Sequence, residues 1–208
     1  AVTGKDARKW LSTIMAGRIP VAGRMSLTPM LSPKGRLMGD FTVSCLDENN
    51  FQLTASYGAQ EIHYRWFMKN LKGDVRVRNV SDRRTGFQIA GPKSRELLSL
   101  CTRYDVSTVK FLDVVRMTVG QVDCTVQRVS YTGDLGYEIY CDPMDQRQLW
   151  QTLWNAGQPL GITPFGMRAM MSLRLDRHFG SWLSEFSPDY TAAETGMDRF
   201  ISFKKPDD

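Results

Sequence analysis

Two acids stand where strand-forming sequence leaves a charge without a helical partner. Asp40 lies in SLTPMLSPKGRLMGDFTVS, residues 26–44, and Glu138 in YTGDLGYEIY, residues 131–140. In a strand, alternate side chains share a face. Met38, Asp40 and Thr42 then fall on one side, and Leu37, Gly39, Phe41 and Val43 on the other. Gly39 marks a place where a ligand or another backbone could come close. Spacing alone favours an edge strand whose polar face meets water. Gly136, Glu138 and Tyr140 likewise share a face, opposite Leu135, Tyr137 and Ile139, with Gly133 and Gly136 just upstream. A carboxylate so placed can move a proton or accept two parallel hydrogen bonds from a planar pair of N–H donors. Arg128 and Tyr131 precede it. A third candidate, Arg168, falls four residues before Ser172 on one face of the otherwise apolar block GITPFGMRAMMSLRL. A cation there calls for an acid, such as Asp40 or Glu138, or for an anionic ligand.

The elements that must position these residues follow from periodicity and turn chemistry. Ser32-Pro33-Lys34-Gly35 predicts a turn between strands over 25–31 and 36–46. Trp10, Leu11, Ile14 and Met15 predict a helix over 5–16, and Ile62, Trp66, Phe67 and Leu71 another over 58–71. Strands are expected at 51–55, 74–80, 86–90, 113–119 and 122–130, the last two a hairpin around Gly120-Gln121. Helices are expected at 92–102, at 143–156 with Leu149, Trp150, Leu153 and Trp154 as its buried stripe, and at 165–177. The tail from 183 reads as irregular, with a short strand near 199–203. Hairpins mixed with helices, without regular strand–helix–strand repeats, predict an α+β fold with antiparallel sheets and packed helices.

Composition narrows the chemistry. The chain has 208 residues, 42% hydrophobic, with a net charge of +5 and a pI near 9.1. That is a mild basic excess, unlike a dedicated nucleic-acid binder, and RVRNVSDRR at 76–84 reads as a solvated strand and turn. Four scattered cysteines form no CxxC pair, so neither a zinc site nor a disulfide framework is expected, and buried free thiols are. With two histidines, His63 and His178, a histidine metal site or a Ser-His-Asp triad is hard to build. No glycine-rich phosphate loop or nucleophile elbow occurs. No apolar run reaches membrane-spanning length and no signal peptide is visible. The first residues, Ala1-Val2-Thr3, suggest a processed or excised piece.

SLTPMLSPKGRLMGDFTV, QIAGPKSRELL, SYTGDLGYEIY, PFGMRAMMSLRL and DYTAAETGMDRF, in this order, resemble the aminomethyltransferase family, which includes the glycine-cleavage T-protein. They are most similar to the folate-binding region of dimethylglycine and sarcosine dehydrogenases. The resemblance covers essentially the whole chain. It implies the first two domains of a three-domain cloverleaf around a tetrahydrofolate channel. Domain 1 would be discontinuous, 1–50 plus 122–208, with an inserted domain 2 at 51–121. The final C-terminal barrel and any FAD domain would lie outside this chain. By the same resemblance Asp40 matches the catalytic acid. Glu138 matches the acid that clasps the 2-amino-4-oxo pteridine edge, Tyr131 a folate-contacting tyrosine and Arg168 a folate-site arginine. No metal is implied. The implied activity is capture of a one-carbon unit from a small N-methyl amine, forming 5,10-methylenetetrahydrofolate. FAD would serve only in a separate upstream oxidase domain. No nucleic-acid or membrane partner is expected, and the location would be cytoplasmic, or the mitochondrial matrix in a eukaryote. A non-catalytic folate-binding or regulatory module and a folate-dependent demethylase remain open alternatives. Leu27, Met171 and Asp176 depart from the family pattern at positions that bear on the substrate. An exposed apolar patch is expected near the 165–182 helix and Trp182.

Overall fold

A computed structural model describes residues 1–182 and 184–205. The fold is α+β and divides into two compact units, residues 1–79 with 180–208, and residues 80–179.

The first unit is built on a five-stranded antiparallel sheet in the order β2-β3-β4-β1-β5. The strands are β1 (Val2–Thr3), β2 (Arg24–Leu31), β3 (Leu37–Asp47), β4 (Asn50–Thr54) and β5 (Arg76–Val77). The β2–β3 turn forms as its residues dictate. Pro33 follows Ser32, the Gly35 amide donates to the Ser32 carbonyl at 2.9 Å, and Gly35 takes φ 72°, a conformation glycine adopts without strain. Leu37, Gly39, Phe41 and Val43 are buried while Met38, Asp40 and Thr42 are half-buried, which is the alternation expected of β3. The buried face packs on helices α1 (Ala7–Ile14) and α2 (Gln60–Lys69) through Trp10, Leu11, Phe51 and Phe67. Helix α1 stops before Met15 because that residue turns extended and bridges to Met30 of β2. The tail packs Trp182, Phe186, Ala192 and Met197 against Leu37 and Ala59. No strand forms near 199–203; Asp198–Phe200 is one turn of 3₁₀ helix.

The second unit is a four-stranded antiparallel sheet in the order β6-β9-β8-β7. Its strands are β6 (Thr85–Ala90), β7 (Val114–Val119), β8 (Val122–Gln127) and β9 (Gly136–Cys141). Gly120, at φ 64°, opens the two-residue β7–β8 loop. One face of the sheet, with Val122, Cys124, Val126, Tyr137 and Ile139, packs on helices α3 (Ser94–Cys101) and α4 (Gln146–Gly157) through Leu97, Leu98, Leu149 and Leu153. The α4 stripe is narrower than its periodicity predicts. Trp150 and Trp154 stack on each other at the surface, 5.7 Å apart, and Trp150 is 41% exposed. Helix α5 (Met167–Leu173) runs into a 3₁₀ turn at Arg174–Arg177. All four cysteines are free and buried. Among the described residues no helix is long and apolar enough to cross a membrane.

The boundaries expected at 51 and 122 do not coincide with these units. Strand β4 pairs with both β3 and β1, which holds 51–79 in the first unit. Strand β9 pairs with both β6 and β8, which holds 80–121 together with 122–179.

Candidate functional site

Each sheet carries one of the two acids on the face turned away from its helices. In the first unit Asp40 sits in β3 opposite Pro29 of β2. Its Oδ1 is buried and accepts no hydrogen bond among the described residues. Burial pushes the carboxyl above its usual range, and a hydrogen bond from its own backbone N–H only partly offsets this. The adjoining Gly39 is required by packing: a Cβ there would come within 2.7 Å of both the His63 ring and the Phe41 ring. The close approach marked by this glycine is therefore made by the protein itself. His63 stacks obliquely on Phe41 at 4.7 Å and edge-on against Trp182 at 5.4 Å. Its Nε2 is buried without a partner, and burial lowers its pKa to about 4 despite a hydrogen bond to the Met38 backbone.

In the second unit Glu138 occupies the middle of β9, the strand between β6 and β8. The register sets Gln88 of β6 on one side of it and Gln127 of β8 on the other, so the three side chains form a row on one face. The Tyr140 hydroxyl, two residues along the same face, donates to Glu138 Oε2 at 2.7 Å. Burial raises the Glu138 pKa, and the Tyr140 bond works against that shift. Gln88 Nε2 donates to Ser130 Oγ at 3.1 Å. Gln127 has 0% exposure, and neither its Oε1 nor its Nε2 has a partner among the described residues.

The loop after β8 holds Tyr131 beside this row. Ser130 and Thr132 share a hydrogen bond at 2.9 Å, and the Tyr131 ring stacks on Phe179 with centroids 6.3 Å apart and planes 14° from parallel. Gly133, at φ 76°, lets the Arg177 side chain pass; a Cβ would lie 2.4 Å from Arg177 Cγ. Gly136 makes room for Ser130 and for the Ile89 carbonyl. Both glycines thus serve internal packing around Glu138.

Arg168 is placed differently from its expectation. It is exposed on α5, a helix with no buried residue, and forms no ion pair with Asp40, Glu138 or any other described acid. The buried arginine of this segment is Arg174, which donates to the Phe179 carbonyl. Phe165, Met167, Leu173 and Leu175 are exposed nearby, Met167 at 67%, whereas Trp182 is buried. Tyr140, bonded to Glu138, and Gln127, opposite it across the β8–β9 pair, are the neighbours of Glu138 that sequence reasoning does not single out. Alternation already put Tyr140 on the Glu138 face, and it likewise groups Asp123, Thr125 and Gln127.

Comparison with known proteins decides the family. The GCVT N-terminal domain matches residues 1–205. The chain belongs to the GCVT N-terminal domain family. Mitochondrial dimethylglycine dehydrogenase of Rattus norvegicus is 35% identical over all of this chain and 25% of its own length. An aminomethyltransferase of Clostridium botulinum is 32% identical over all of this chain and 57% of its own length. The chain thus spans about a quarter of the first of these relatives and little more than half of the second. The crystal structure of glycine cleavage system aminomethyltransferase T from Bartonella henselae superposes with a TM-score of 0.85 over 97% of this chain and 54% of that one, at 20% identity. That likeness extends the family's fold to both sheets described above.

Proposed function

We propose that this chain is the tetrahydrofolate-binding one-carbon transferase region of an enzyme that takes a one-carbon unit from a small N-methyl amine and forms 5,10-methylenetetrahydrofolate. The observation that carries the reading is the Glu138 carboxylate, aligned by Tyr140 at 2.7 Å on the sheet face opposite the one that packs on α3 and α4. A carboxylate so oriented suits the paired N–H and NH₂ donors of a 2-amino-4-oxo pteridine. In its own unit Asp40 keeps a buried Oδ1 without a donor among the described residues, an acceptor that is costly until a donor is supplied. Membership of the family, whose relatives include proteins named as aminomethyltransferase and dimethylglycine dehydrogenase, supports the assignment.

In this reading tetrahydrofolate supplies the nucleophilic ring nitrogen that takes up a carbon at the formaldehyde level. Glu138 holds the pteridine edge, and Tyr131, stacked on Phe179, walls the folate site. Asp40 is the catalytic acid. As a carboxylate it favours the positive charge of the iminium carbon donor, and its free oxygen takes the proton released on ring closure. Its raised pKa suits a group that must hold that proton. Arg168, exposed and without an ion pair among the described residues, keeps its place as a folate-site arginine through the family resemblance. Oxidation of the amine would fall to an FAD-dependent domain elsewhere in the gene product, in the cytoplasm or, in a eukaryote, in the mitochondrial matrix. Titration of tetrahydrofolate into the purified chain tests the reading. Saturable one-to-one binding is expected, and absence of binding at millimolar ligand overturns it.

A further inference from the structure

We propose that Gln127 is a second pteridine-reading residue, its carboxamide pairing with the ring edge next to the one that Glu138 takes. The inference rests on the tetrahydrofolate reading above and adds to it a residue that sequence motifs did not reveal. Gln127 ends β8 directly opposite Glu138 on β9. Side chains directly opposite across an antiparallel pair stand on the same face, with Cβ atoms roughly 4.5–5.5 Å apart. The amide is fully buried, yet both its donor and its acceptor lack partners among the described residues. Folded proteins pair such groups in the great majority of cases, because an unpaired buried amide forfeits its hydration. Gln88, on the other side of Glu138, is already bonded to Ser130 Oγ, and one Glu138 oxygen is held by Tyr140. Gln127 is thus the member of the row whose whole hydrogen-bonding capacity is left for a ligand.

The chemistry of the ligand matches that capacity. Once a carboxylate has taken the 2-amino and N3–H donors of a tetrahydropteridine, each neighbouring edge presents one acceptor and one N–H. On one side these are the 4-oxo oxygen and N5–H, on the other N1 and N8–H. A carboxamide complements either edge with one donor and one acceptor. A carboxylate at this position would complement only half of it. An apolar side chain would complement none.

The test compares the wild-type chain with Gln127→Met and Gln127→Glu, by calorimetric titration with tetrahydrofolate and by thermal melting without ligand. Gln127→Met should bind tetrahydrofolate about tenfold more weakly, the scale for a site that loses a buried hydrogen-bonding partner. Its melting temperature without ligand should stay level or rise, because an unpaired buried amide has been replaced by an apolar side chain of similar volume. Gln127→Glu should also bind more weakly than wild type, because a second buried carboxyl opposite Glu138 adds desolvation cost and like-charge repulsion and loses the amide donor. Two analogues sharpen the result, 5-deaza- and 8-deazatetrahydrofolate, each with one ring N–H replaced by CH₂. The wild type should discriminate against one of them, and Gln127→Met should not. Wild-type affinity in Gln127→Met, or equal binding of both analogues by the wild type, overturns the role of Gln127 while leaving the folate reading intact. Failure of the wild type itself to bind tetrahydrofolate overturns both.

Discussion

The two sheets of this protein treat their acids in opposite ways. Asp40 and Glu138 both lie on the face of an antiparallel sheet away from its helices, both follow a glycine consumed by internal packing, and both are pushed by burial toward the protonated form. Glu138 is tied down: Tyr140 fixes one oxygen and two glutamines flank it. Asp40 is not, for its Oδ1 has no donor among the described residues, and Leu27, Pro29 and Met38 are among its neighbours on that face. A carboxylate locked into one orientation is suited to recognition, because its lone pairs point where a planar ligand must come. A carboxylate left unsatisfied and partly dehydrated is suited to charge and proton work, because the arriving substrate changes its energy most.

Substitution at Asp40 breaks the comparison most severely. Assayed in the complete gene product, Asp40→Asn should slow formation of 5,10-methylenetetrahydrofolate by about 10²–10⁴-fold, the range for a positioned acid–base group. Steady-state kinetics checks this, and near-normal turnover would make Asp40 structural.

The packing beneath Asp40 responds to pH through His63. Its pKa falls from 6.5 to about 4 in the folded chain, so the folded state disfavours the proton that the unfolded chain accepts. Stability from this group is therefore complete above about pH 6.5 and is lost as pH falls toward 4. Linkage over that shift gives a loss of about 2 kcal/mol between pH 7 and pH 5. Urea unfolding at the two pH values should show the wild type losing about this much more stability than His63→Gln, whose side chain does not titrate, because the other titrating groups act alike in both.

Loosening the Glu138 clamp has a smaller effect. Tyr140→Phe should weaken tetrahydrofolate binding by about three- to tenfold, the worth of a single hydrogen bond. It should also move the acid limb of binding to higher pH, because the Tyr140 bond is what holds the Glu138 pKa down. Titrations from pH 5 to pH 8 separate the two effects.

Much of this arrangement is legible in the sequence, for reasons that vary with the residue. The β2–β3 hairpin is set by Pro33, Gly35 and an alternation that one register satisfies, so Asp40 falls on the predicted face. Glu138 and Tyr140 share a face by the same rule. The exposure of Arg168 is not legible locally: the apolar spacing of 161–175 signals a buried helix face, whereas α5 keeps Met167 and Leu173 exposed. The glycines announced close approach without saying by what; His63, Arg177 and Ser130 are far away in sequence. The position of Gln127 opposite Glu138 is not legible locally, because it depends on pairing β8 with β9 in one particular register, a long-range fact.

The division of labour between the two acids is tested most directly by tetrahydrofolate titration of the wild-type chain, Glu138→Gln and Asp40→Asn side by side, with circular dichroism confirming the fold of each. Glu138→Gln should lose about 1.5–3 kcal/mol of binding free energy, the range for a hydrogen bond to a charged group. Asp40→Asn should bind almost as the wild type does. Unchanged affinity in Glu138→Gln, or a loss in Asp40→Asn as large as that in Glu138→Gln, would contradict the account.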